Sequence, residues 1–365
     1  MGNRTTTQKL SEKETKQSRH LITPFQTLKD LPTLLSRSQC VLHKHELLIC
    51  GGYEQRACYS YHILKNEYKF ICEYLSDIKL NGHCVVKLVD SSNQITLLSF
   101  GSDRNGKNKH TLVMKYVSVW NDTSNKSNEL NNYNQWVSFT DNHNHPIIIG
   151  RDEDYYTGVR AVIGGSNNHL LFITYFIDNI SIWCHCFVLN SENRQEQKMM
   201  KTNQEKNKQQ YQMLLFCEKE GLSIEYNEDY NTFQFHQLPI YKDIAIFSSY
   251  AYVCINDVIL FFGGYCYNYG NAIYSKSVHR YSIRESKWIT FQNILPRSLY
   301  DCVAILSEDD NRIHIIGGKD DKDTTVSTHM KTEVRVWDPL LLVMICLFIY
   351  YFDETQKFNC LENNK

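Results

Sequence analysis

Between Tyr250 and Pro296 the apolar residues come in four short bursts, Tyr250–Ile255, Val258–Phe262, Val278–Ile283 and Lys287–Phe291, with turn residues between them. Val258–Phe262 is a continuous run of branched and aromatic residues, which suits a strand buried on both faces. Gly263 and Gly264 end it, because two glycines let the chain leave a crowded strand end with φ > 0. In Val278–Ile283 the side chains alternate, as a half-buried strand requires. Trp288 follows Tyr281 after a tight turn, so the two sit on consecutive strands of one hairpin. The pattern predicts a sheet of four short antiparallel strands.

An apolar run, a double glycine, then a Tyr and a Trp seven residues apart resembles the kelch repeat. That resemblance implies that each such unit forms one four-stranded blade of a β-propeller. Other segments carry the same pattern. The first repeat, from Gln39 to Leu75, has Gly51 and Gly52 after Glu46–Cys50, and Tyr61 followed by Tyr68. The second, Gly82 to Thr140, has Gly101 followed by Ser102, a strand over Val113–Trp120 and Trp136 on its last strand, with an Asn/Ser-rich loop at 121–135. The third starts at Gly158, keeps Leu170–Tyr175, places its third strand at Ile180–Trp183 and lacks a fourth. The fourth opens at Cys184–Leu189 and resumes at Tyr211–Cys217, with Tyr226 seven residues before Phe233. The sixth has Gly317 and Gly318 after Arg312–Ile316 and Trp337 on its third strand, and it too lacks a fourth. Phe25–Pro32 looks like a fourth strand with no blade before it.

The expected fold is therefore all-β: a kelch-type propeller over residues 23–338, with six four-stranded blades and the N-terminal strand completing the last. The defect in the third repeat leaves five or seven blades as alternatives. Residues 1–22 and the polar insertion 191–210 are expected to be disordered. The apolar tail at 340–352, within 339–365, is too short for a membrane helix and is expected to be an extra strand or a poorly packed end.

Composition narrows function more than it specifies it. A net charge of −1 over 365 residues argues against a nucleic-acid surface. The 13 cysteines lie mostly inside apolar runs, where a reduced thiol acts as a small hydrophobe, and the first twenty residues are polar. Both point to the cytoplasm. Gly2, with Thr6, fits an N-myristoylation pattern, so membrane contact is expected only if Gly2 is acylated.

Candidate chemistry is sparse. His43 and His45, His143 and His145, and Cys184 and Cys186 are spaced by one residue, unlike common metal-ligand pairs. Asp152–Asp154 and Asp320–Asp323 read as acidic turns. No nucleophile elbow, phosphate loop or zinc-protease motif occurs. No cofactor is expected, and Gly51, Gly52, Tyr61, Gly101, Trp136, Gly263, Gly264, Tyr281, Trp288, Gly317, Gly318 and Trp337 are structural positions of the repeat. The resemblance then implies a non-catalytic scaffold that binds a protein. The alternatives are an enzyme with its site at the mouth of the propeller channel, or a ubiquitin-ligase substrate adaptor.

Overall fold

A computed structural model describes residues 23–90, 94–121, 132–176, 184–190, 210–268 and 270–337. Gly2, the tail at 340–352 and all of the 191–210 insertion but its last residue lie outside them, as does the expected strand at 180–183. The chain opens with a short strand, β1 (Phe25–Thr27). The first sector is the sheet β2 (Gln39–His43), β3 (Glu46–Gly52), β4 (Gln55–His62) and β5 (Glu67–Glu73). The second is β6 (Cys84–Asp90), β7 (Ile95–Gly101), β8 (His110–Tyr116) and β9 (Val137–Ser138). The third holds only β10 (Tyr155–Gly164) and β11 (Leu170–Phe176). The fourth is β12 (Cys186–Leu189), β13 (Gln210–Cys217), β14 (Glu220–Asn227) and β15 (Thr232–Gln237). The fifth is β16 (Ala251–Ile255), β17 (Val258–Phe262), β20 (Val278–Ser282) and β21 (Lys287–Thr290), with the hairpin β18 (Tyr265–Asn268) and β19 (Asn271–Tyr274) rising from it. The last is β22 (Val303–Ser307), β23 (Arg312–Ile316) and β24 (His329–Glu333).

The architecture is an all-β propeller. Among the described residues it has five four-stranded blades, one fewer than the six expected. The third repeat is a two-stranded hairpin among the described residues, wedged between β6 and β12. The ring closes as the N-terminal run implies: β1 pairs antiparallel with β24, Phe25 opposite Thr332. Phe25 packs edge-on to Phe262 and at 5.5 Å from Trp337, so closure buries a large aromatic core between the fifth and last blades. Trp337 is fully buried but is not on the third strand. That strand ends at Glu333, and a 3-10 turn, Val334–Val336, carries Trp337 back over the blade.

The seven-residue aromatic spacing is a register. Tyr61 faces Tyr68, Tyr226 faces Phe233 and Tyr281 faces Trp288 directly across a two-strand ladder, with ring centroids 4.8–4.9 Å apart. Trp136 takes another place, stacked on Tyr74 of the preceding blade with its indole N–H on the Cys58 thiol.

The double glycines bind neighbouring sectors together. Each second glycine lies against the segment leading into its own blade, and each first glycine against the segment leading into the next. A Cβ on Gly263 would stand 2.1 Å from the Leu299 carbonyl oxygen, and one on Gly317 2.3 Å from that of Leu35. One on Gly51 would strike the Leu80 side chain. The same lead-in carbonyls accept hydrogen bonds from Gly264 (2.9 Å), Gly318 (2.7 Å) and Glu54 (3.2 Å). Gly101 instead presses on His83 of its own lead-in.

Seven histidines are buried between strands and blades, and burial lowers the pKa of six of them. Burial pushes the imidazole of His83 down to about 3, and those of His110, His279 and His314 down to about 4. Burial also holds His185 and His329 well below the ordinary range. His314 and His329 share a 2.8 Å hydrogen bond, and Tyr68 from the first blade reaches His329, tying the two ends of the ring.

Two outcomes follow. Gly263→Ala combines positive φ with a backbone clash and is expected to cost about 3 kcal/mol. Gly270→Ala, with φ of +84° and open space around the new methyl, should cost about 1 kcal/mol; urea denaturation of both variants compares them. The six imidazoles are neutral when folded and have folded values below their unfolded value of about 6.5. Their contribution to stability is complete above that value and is lost as pH falls from about 6.5 towards 4. Urea midpoints measured from pH 7.5 to 4.5 should therefore drop steeply across that window.

Candidate functional site

The inner strands β2, β6, β10, β12, β16 and β22 surround the axis. One residue just ahead of each, or within β10 at its irregularity before Arg160, has φ between +46° and +69°, in the order Arg37, Gly82, Gly158, Cys184, Ser249 and Asp301. This is the left-handed region that non-glycine residues avoid. Backbone bonds link these turns around the axis: Arg37 N–H to Asp301 O at 2.7 Å, Asp301 N–H to Ser249 O at 2.8 Å and Gly158 N–H to Asn81 O at 3.2 Å. The turns aim four side chains, Arg37, Cys184, Ser249 and Asp301, at a common cavity of about 180 Å³, together with Ser38, Arg160 and Tyr252.

The cavity is polar and charged. Arg37 donates from Nε to Asp301 Oδ2 at 2.8 Å and from Nη1 to Asn81 Oδ1 at 2.7 Å, while its guanidinium lies over the Tyr53 ring. Asp301 is almost wholly buried, and its Oδ1 has no hydrogen-bond partner. Ser38 Oγ and Asn81 Nδ2 are likewise buried and without partners. Arg160 donates from Nη1 to Val159 O at 2.8 Å and to Gly82 O at 3.5 Å.

The channel continues both ways. Arg37 also lines an outer mouth with Tyr53, Asn81, Arg104, Lys319 and Asp323, residues that mostly follow the glycine ends of strands. There Lys319 pairs with Asp323 at 2.9 Å, and Tyr300 donates to the same carboxylate. Tyr252 and Ala304 pass the channel on to a wider mouth of about 610 Å³ edged by Lys44, Lys87, Glu308 and Asp309.

The pairs singled out in the sequence do not assemble. His43 is buried edge-on to Tyr116, whereas His45 is exposed and bonds Asp309 at 2.7 Å. A left-handed Lys44 between them turns the rings apart. His143 and His145 are exposed beside Asp141. Cys186 packs in the core, while Cys184 lines the cavity. Asp320 accepts from the backbone of Lys322 and Thr324 in a tight turn, and Asp154 accepts from Arg151 N–H. Among the described residues no three of these residue types converge where a metal ion would sit, and no helix is long and apolar enough to cross a membrane.

A second surface stands out at the incomplete sector. Phe233 and Phe235, on the outermost strand β15, are 49% and 63% exposed, with Tyr230 nearby more exposed still. At the matching position of the fifth blade, Trp288 is partly covered by Phe216 and Phe261 of neighbouring strands. Across the sector boundary Phe233 meets Phe172 of the hairpin at 6.3 Å, and among the described residues the hairpin has no outer strands beside it.

Asp301→Ala is expected to leave Arg37 partly buried without its carboxylate and to cost about 3 kcal/mol. Asp301→Asn retains an acceptor and should cost less; chemical denaturation reads both.

No family model matches the chain, and no curated protein matches it. Among solved structures, one titled "Structure of YjhT" is similar to it with a TM-score of 0.49 at 12% identity, over 83% of this chain and 95% of that one.

Proposed function

We infer that this protein is a kelch-type propeller that works by holding a protein partner, in the cytoplasm and without a catalytic cycle of its own. The observation that carries the reading is the aromatic face of β15. Two phenylalanines on one face of an edge strand, with Tyr230 beside them, form an apolar surface of the kind that protein interfaces bury. Among the described residues no strand pairs with the outer side of β15, so a partner there gains main-chain hydrogen bonds as well as aromatic burial. The aromatic Tyr–Trp and double-glycine positions support the kelch assignment.

The inward polar cluster at the axis favours a second reading, a propeller whose channel takes a small molecule and, if that molecule is turned over, an enzyme. Arg37, Asp301, Ser38 and Arg160 are the residues such a site would use.

The partner reading is tested by placing a photo-crosslinking residue at position 230 in cells. A single stoichiometric protein adduct is expected, and it should vanish in the Phe233→Ser/Phe235→Ser variant while thermal unfolding shifts by no more than a few degrees. No adduct, or the same adducts in both, sinks it.

A further inference from the structure

Arg160 is the one guanidinium in the channel cavity whose charge is left unanswered. It stands on β10, in the strand run that begins at Gly158, at a position filled by Gln39, Ala251 and Val303 on other inner strands around the cavity. Both of its hydrogen bonds leave from Nη1 and end on carbonyls. Among the described residues no carboxylate stands within ion-pair distance. Asp301 reaches it only through space, and that carboxylate is already held by Arg37 at 2.8 Å. A half-buried guanidinium with no counter-charge is open to a partner, and its remaining N–H donors form a fork suited to an oxyanion.

We propose that the central cavity binds a small oxyanion, a carboxylate or phosphate monoester, through Arg160. The Ser38 hydroxyl, 2% exposed and without a partner, supplies a further donor to the same space. Asp301 Oδ1, also without a partner, accepts from a hydroxyl carried by the ligand. About 180 Å³ gives room for on the order of ten water-sized groups, which fits a small molecule and not a folded partner. With Arg37 answered by Asp301 and Lys319 by Asp323, Arg104 leaves the outer mouth net positive, so the approach is favourable to an anion. The proposal does not depend on the protein-partner reading, since β15 lies at the outer edge of its blade, away from the axis.

The test uses the whole chain with acetate and inorganic phosphate as probes, each against chloride at matched ionic strength. Thermal unfolding should rise saturably with at least one of them, and the responding anion distinguishes a carboxylate from a phosphate ligand. Line broadening of the phosphate 31P signal, or of the acetate methyl 1H signal, reads binding to the unaltered chain independently. Arg160→Gln should weaken binding at least tenfold, and Arg160→Lys, which keeps the charge and guards against a folding defect, should retain part of it. A wild-type chain that responds to neither anion overturns the proposal. So does undiminished binding in a folded Arg160→Gln variant, which would place the anion on the surface cations at the mouth.

Discussion

The ring depends on a contact made where the fifth sector meets the last and the last meets the first: a glycine at the end of the second strand meeting the backbone that leads into the following sector. At Gly263 and Gly317 a neighbouring carbonyl oxygen occupies the space that any side chain would need. The next residue's N–H donates to that same oxygen, so steric fit and hydrogen bond are set by one atom. Apolar faces slide over one another at small cost, whereas a backbone hydrogen bond at 2.7–2.9 Å does not. The lead-in segments held this way are also those that place Arg37 and Asp301 at the axis. Ring geometry and the polarity of the channel therefore have a common origin.

Charge is distributed in keeping with that arrangement. Between the blades six histidines are kept neutral by burial, and the His314–His329–Tyr68 chain joins the two ends of the ring without a net charge. Along the axis the groups are ionic. Arg37 and Asp301 answer each other, and Arg160 has only carbonyls. Neutral groups can be packed tightly by apolar neighbours, while unanswered charge calls for solvent or a ligand. This difference separates the parts of the molecule that hold shape from the part open to chemistry.

Much of this was legible in the chain. The seven-residue interval from Tyr281 to Trp288 became a cross-strand pair because a tight hairpin fixes which residues face each other. The early run at Phe25 had the look of a last strand, and β1 completes the last blade. The expected sixth blade was not met: the third repeat keeps the inner strand run of its neighbours, but the described residues form only a hairpin. The hairpin β18–β19 was missed because Tyr265–Tyr274 carries no apolar run. Trp337 was placed on a strand because its neighbours are β-branched, yet the chain turns after Glu333. The axial cluster was missed for another reason. Arg37, Cys184, Ser249 and Asp301 stand two residues ahead of the strands that define the repeats, and a left-handed turn at Arg37, Cys184 or Asp301 leaves no compositional mark. Arg160 did leave one, a lone cation inside an otherwise apolar first strand.

The strand that seals the ring is made first and finds its place last. While the protein is being synthesised, residues 25–27 emerge with no sheet to join, and they wait until His329–Glu333 has left the ribosome. Until then the nascent molecule is an open arc with an unprotected edge at its final blade, and the aromatic cluster of Phe25, Phe262 and Trp337 is unformed. A ribosome that stalls anywhere before residue 329 thus releases a product that chaperones and proteases will recognise as unfinished, however well its earlier blades have folded.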